Sequence, residues 1–297
     1  MRLKKTFVTL FLLLMILSIT GCKNKNDETL LKQKADEEIQ YLDTTLISLA
    51  NKLNNISFEN YYVTTEKVKL NSTSQSSSNS NSEQGSSGNS SKSSGEDSDD
   101  ASSDQNKESN ITVSKMKSQN ILLGDRKNID WDSLKTETEN LYASWNSILI
   151  DLYKLGVNNE DILKFSANLD DVISNIKQEK QAEALNSIAN LYNIIPTFMD
   201  AYSEQRTNIN LKWTKAHILK AYSAVNKGDW NTVTSEVGQA EQAYNAVLSD
   251  VEFVNKKSYN TNKTYVTLKE LQNSIASSDE DIFYIKYKNL MEEINLL

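Results

Sequence analysis

Apolar positions fall into distinct patterns along this chain. An unbroken apolar run from Thr6 to Thr20 follows the basic start Met1, Arg2, Leu3, Lys4, Lys5. At 1.5 Å rise per residue it covers about 22 Å, short of the ~30 Å hydrocarbon core. That length suits the apolar segment of a signal peptide rather than a membrane span. A second pattern spans residues 27–55, where Leu31, Ala35, Ile39, Leu42, Leu46, Leu49 and Leu53 recur at three and four. This spacing predicts a helix with one apolar face. From Ile129 onward the same period returns repeatedly. Leu134, Leu141, Trp145, Ile148, Leu152 and Leu155 form one seam, and Ile162, Phe165, Leu169, Val172 and Ile176 another. Leu185, Ile188, Tyr192 and Ile195, then Leu211, Thr214, Ile218, Ala221 and Val225, continue the series. The clearest seam is Trp230, Val233, Val237, Ala240, Tyr244, Val247 and Val251.

Punctuation agrees with these seams. Gly156 suits a left-handed helix stop, and Asn158 or Asn159 a cap on the next helix. Gly228-Asp229 marks a tight helical hairpin before Trp230. Ser278 and Asp281 have capping-box-like spacing for a last helix from Asp279 to about Asn295. Pro196, the only proline, falls inside the apolar pattern of residues 182–202 and is expected to kink that helix near Tyr192. The expected fold is therefore all-α. About five or six helices over residues 128–297 form an antiparallel up-down bundle, long enough to bury about 70% of its chain surface. The turn Lys227-Gly228-Asp229-Trp230 is similar to a tetratricopeptide hairpin, but the self-repeat of roughly 34 residues is missing.

Two stretches depart from the helical period. Residues 56–70 and 111–123 are rich in residues that favour extended backbone, including Tyr61, Tyr62, Val63 and Thr64, then Ile111 and Val113. They either pair as a short two-stranded ribbon or run as irregular linkers. Between them lie residues 71–110, of which 17 of 40 are Ser, with Ala101 the one apolar side chain. Such a stretch offers no burial to offset its ordering entropy, so it reads as a disordered, acidic Ser-rich insert.

The first apolar run ends in Ile19-Thr20-Gly21-Cys22. This resembles the lipobox of bacterial lipoproteins. The resemblance implies that Cys22 carries a diacylglycerol, that residues 1–21 are removed after Gly21, and that residues 22–26 tether the protein to the membrane. A lipid with two or more chains anchors stably, each buried methylene contributing about 0.8 kcal/mol. The expected location is the extracytoplasmic face of the cell membrane. Cys22 is also the only cysteine, so the exported part folds without an internal disulfide or a Cys-based zinc site.

Loss of Arg2, Lys4 and Lys5 with the signal segment moves the net charge from −8 to −11. That disfavours nucleic acid as a partner. Gly 8 and Pro 1 in 297 residues are few for a turn-rich β or α/β fold. His217 is the only histidine and reads as structural; metal sites need several partners. Asp36-Glu37-Glu38, Asp170-Asp171 and Glu292-Glu293 read as solvated helix faces, because adjacent residues on a helix point apart. No catalytic, cofactor or metal residues are singled out, and the protein is expected not to be an enzyme. Trp145 and Trp230 sit on seams and read as core. Tyr41, Tyr61, Tyr62, Tyr259 and Tyr265 lie off them and suit a contact surface.

A lipoprotein helix, a Ser-rich insert, then Leu141-Tyr142-Ala143-Ser144-Trp145-Asn146 and Asp151-Leu152-Tyr153-Lys154-Leu155 together resemble an uncharacterised group of lipoproteins of low-GC Gram-positive bacteria. That group carries no activity to transfer. The expectation is a membrane-anchored helical lipoprotein that binds an envelope protein partner or organises the envelope. The alternative is a solute- or metal-binding lipoprotein serving a transporter.

Overall fold

The structure, a computed structural model, describes residues 25–56, 63–68, 111–116 and 128–297. Residues 1–21, expected to be a signal segment, together with Cys22, Tyr61, Tyr62 and the Ser-rich stretch 71–110, lie outside the described residues. Helix α1 spans Lys25–Leu53. After the strands come α2 (Trp131–Lys154), α3 (Asn159–Lys177), α4 (Gln181–Tyr192) and α5 (Ile195–Tyr202). These are followed by α6 (Arg206–Val225), α7 (Trp230–Leu248), α8 (Val251–Lys256), α9 (Ser258–Ser274) and α10 (Glu280–Asn295). The protein is an all-α helical bundle, and none of the described helices is long and apolar enough to cross a membrane. The chain divides into two compact units, one within residues 1–59 and 120–297, the other within residues 60–119. The smaller unit holds β1 (Val63–Val68) and β2 (Ile111–Met116), paired antiparallel from Val63 opposite Met116 to Val68 opposite Ile111.

The sequence sets residues 27–55 apart from the bundle, but the structure packs α1 into it. Ala35, Ile39, Leu42, Leu46, Leu49 and Leu53 are buried in the same core cluster as Leu141, Leu152, Leu191 and Leu290. Helix α2 runs antiparallel to α1, as the pairs Lys34–Asp151, Tyr41–Ser144 and Lys52–Glu137 show. Residues 128–297 contain more helices than expected, because two seams break. Residues 182–202 hold two helices rather than one kinked helix. Pro196 has no N–H, and its ring crowds the carbonyl of Tyr192, where α4 ends. Pro196 instead occupies the first turn of α5, where an N–H has no intrahelical partner anyway. Beyond α7, Asp250 caps the short α8, its carboxylate accepting from the Phe253 N–H at 3.0 Å.

The other stops largely follow the sequence signals. Gly156 and Gly228 take φ +82° and +69°, left-handed conformations open to glycine without strain. Asn158 caps α3 and Asp229 caps α7. At α10 the cap is Asp279, whose carboxylate accepts from the Ile282 N–H at 3.0 Å. Ser278 is not the cap; it lies in the left-handed region at φ 49°.

Two groups of aromatic rings pack within the core. Trp145 sits 4.1 Å from Phe165 and 5.9 Å from Phe198, centroid to centroid, and its indole N–H donates to Ser166 at 2.9 Å. Tyr222 stacks on Tyr287 at 4.3 Å and meets Tyr284 edge-on at 5.2 Å. Trp230 is only partly buried and packs edge-on against Phe283.

Replacing Leu46, which is fully buried, with Ala is expected to cost about 2–5 kcal/mol through lost burial and a residual cavity. Replacing Leu163, 69% exposed, with Ala is expected to stay within about 0.5 kcal/mol. Urea denaturation of both variants checks the placement of α1. A Leu46→Ala protein as stable as the parent would remove α1 from the core.

Candidate functional site

A charged residue interrupts the apolar face of α1. Asp43 lies four residues after Ile39 and three before Leu46, so helical geometry puts it on the buried side. Its side chain is 1% exposed. Three neighbours satisfy it. The Tyr192 hydroxyl, at the end of α4, donates to Oδ1. From α6, Lys212 Nζ donates to Oδ2 at 2.5 Å and Lys215 Nζ to the same oxygen at 3.0 Å. Lys212 also donates to Gln40 Oε1 at 3.1 Å. The two lysine side chains are only 11% and 6% exposed. Lys215 holds the same kind of position as Asp43, four residues after Leu211 and three before Ile218.

Burial alone would raise the Asp43 carboxyl. The ammonium of Lys215, then that of Lys212, and the hydrogen bonds from Lys212 and Tyr192 outweigh it and hold the carboxyl below its ordinary range. Lys212 moves down as well, chiefly through burial and through repulsion by Lys215, against the pull of Asp43. The directions are compatible: one carboxylate faces two cations. The Tyr192 hydroxyl is pushed far up, by burial and then by the adjacent Asp43 charge.

Lys212, Lys215 and Gln40, but not Asp43 or Tyr192, line a cleft of about 590 Å³ between α1, α5, α6 and the end of α10. Ile39, Met199, Leu211 and Ile294 supply apolar lining, and Asp36, Gln40, Asn208, Lys212 and Lys215 supply polar groups. Asp36 sits one turn before Gln40, and its Oδ1 accepts from the Tyr202 hydroxyl at 3.0 Å. Thr44, Gln205 and Asn295 add further polar groups, so most of the lining residues are polar; concave sites that mix apolar walls with convergent polar groups are where small molecules bind.

A second polar layer crosses the far end of α1. Asn54 Nδ2 donates to the Tyr222 hydroxyl at 2.8 Å, Gln181 Nε2 donates to Asn54 Oδ1 at 2.8 Å, and the Tyr287 hydroxyl donates to Asn51 Oδ1 at 3.0 Å. None of these groups lines the cleft beside Asp43.

The residues weighed from sequence fall out unevenly. Cys22 lies outside the described residues. His217 is partly buried, lies 2.7 Å from Glu236 Oε2 through Nδ1, and stacks on Trp213. Its carboxylate partner comes from α7, so its own helix gave no sign of it. Asp170 and Asp171 are exposed, as a solvated face requires. The other acidic pairs correct that reading: Asp36, Glu38, Glu292 and Glu293 are partly buried, with Glu293 paired to Lys263 at 2.6 Å. Tyr41 and Tyr259 are exposed, whereas Tyr265 is partly buried. Tyr142 and Tyr153 on α2 are exposed as well. Among the described residues, no group of three His, Cys, Asp or Glu side chains is placed to hold a metal ion. Comparison with protein-family models, curated proteins and solved structures finds no match.

The lowered Asp43 carboxyl sets a pH dependence. Its stabilising contribution is complete above the ordinary carboxylate value near 4 and is lost as pH falls towards the lower folded value. Stability to urea is therefore expected to fall with acid below about pH 4. Asp43→Asn is expected to be less stable at neutral pH and to show a flatter acid slope. Equal slopes for the two proteins would show that Asp43 does not govern the acid limb.

Proposed function

We propose that this chain is an extracytoplasmic lipoprotein, held to the cell membrane by a lipid on Cys22, whose helical bundle is a non-catalytic binding module for an envelope partner. The observation that carries the reading is Ile19-Thr20-Gly21-Cys22 directly after a basic and then apolar segment. The start of α1 at Lys25, three residues beyond Cys22, supports it. A lipid at Cys22 then connects through a very short tether to a helix rooted in the bundle core. Exposed Tyr41, Tyr142, Tyr153 and Tyr259 suit contact with a protein partner, since tyrosine is enriched where proteins meet.

A second reading, a solute-binding lipoprotein serving a transporter, is favoured by the cleft between α1, α5 and α6. Its buried cations and apolar lining are of a size and chemistry for a small molecule.

The anchoring claim has a direct test. In a Gram-positive host fed an alkyne fatty acid, the parent protein is expected to take the label and partition into detergent. Cys22→Ser is expected to take none and to be released to the medium. A Cys22→Ser protein that keeps label and membrane association would overturn the reading.

A further inference from the structure

The Asp43 cluster holds more positive charge than its structural role requires. One carboxylate oxygen accepts from two buried ammonium groups. A buried lysine is costly to desolvate and needs its donors matched. Lys212 and Lys215 carry six N–H donors between them. Among the described residues, Asp43 and Gln40 accept three of these contacts. Both lysines line the cleft, so the unmatched donors belong to a wall that a solute can reach. The same cleft also holds the Asp36 carboxylate, with one oxygen engaged by Tyr202. Asp36 and Gln40 are four residues apart, about 6 Å along the helix axis, and Gln40 touches Lys212. An anionic group and a cationic pair thus line the same cleft, beside Ile39, Met199 and Leu211. The cleft thus offers both a carboxylate and ammonium groups, which suits a solute that carries both signs of charge.

We infer that this cleft binds a small zwitterion of the apolar α-amino-acid type. Its carboxylate accepts from Lys212 and Lys215, its ammonium donates to Asp36, and its side chain lies against Ile39, Met199 and Leu211. An amino acid carries both charges close together, and an apolar side chain occupies only part of the hollow. The inference rests on the solute-binding reading and makes it specific.

Isothermal titration of the folded protein with leucine, leucinamide, N-acetylleucine and glucose tests it. Leucine is expected to bind. Leucinamide lacks the carboxylate and N-acetylleucine the ammonium; each is expected to bind at least about tenfold more weakly, the loss of one charged hydrogen bond. Lys215→Met and Asp36→Asn are each expected to abolish the leucine signal while circular dichroism shows the parent's helix content. Should either variant unfold, the leucine analogues on the parent protein still decide. N-acetylleucine or leucinamide binding as well as leucine would overturn the zwitterion. Glucose binding alone would keep the solute-binding reading and overturn this inference. No heat with any of the four would overturn both.

Discussion

A carboxylate buried among helices is the constraint around which the larger unit is organised. Asp43 sits on the inner face of α1, where an unpaired charge is not tolerated. Its partners come from two other helices, Tyr192 ending α4 and Lys212 and Lys215 on α6. The pairing fixes the depth and rotation of α1 against both at once. Apolar contacts alone specify a helix position loosely, since a shift of one turn exchanges one leucine for another. A buried charge has only one register in which it is satisfied, the best-attested role of polar groups in cores.

The second polar layer restrains the other end of the same helix. Asn51 and Asn54 meet Tyr287, Tyr222 and Gln181. Between the two layers α1 is packed by Leu46, Leu49 and Ala50. Helix α1 is therefore held by directional contacts in its middle and at its C-terminal end, with apolar burial between them. The cleft beside Asp43 lies along the same helix, so a solute bound there would touch the element that the cluster positions.

Much of this was legible in the sequence, because helix period and punctuation are local. The seam of α3 runs as spaced and that of α7 does so from Val233 to Val247, whereas Val251, placed on the same seam, starts the next helix and is exposed; Gly156, Asn158, Gly228 and Asp229 stop and cap as their chemistry requires. Pro196 gave the right place and too mild an effect: a missing N–H and a crowded carbonyl ended a helix instead of bending it. The charge cluster was harder to see. Asp43 and Lys215 occupy seam spacing, and a charged residue at such a position is the one available sign of a buried pair. Which helix supplies the partner is set by tertiary packing, which a single sequence does not display. For the same reason the Glu236 partner of His217 and the burial of Asp36 escaped notice. Membership of α1 in the core was also hidden, because the Ser-rich insert separates it in sequence from the helices it packs against.

The decisive quantity is the asymmetry of the Asp43 cluster. If Asp43 organises the fold and one lysine suffices to neutralise it, Asp43→Asn leaves two buried cations facing each other. That change is expected to cost about 3–5 kcal/mol, as loss of one partner from a buried pair does. Lys215→Met keeps the Asp43–Lys212 pair and removes one of two cations on the same carboxylate, so the solute-free protein is expected to stay within about 1 kcal/mol of the parent. Equilibrium urea unfolding of the two variants measures both. A Lys215→Met protein as unstable as Asp43→Asn would contradict this, showing that both cations are structural and that none is held in reserve for a solute.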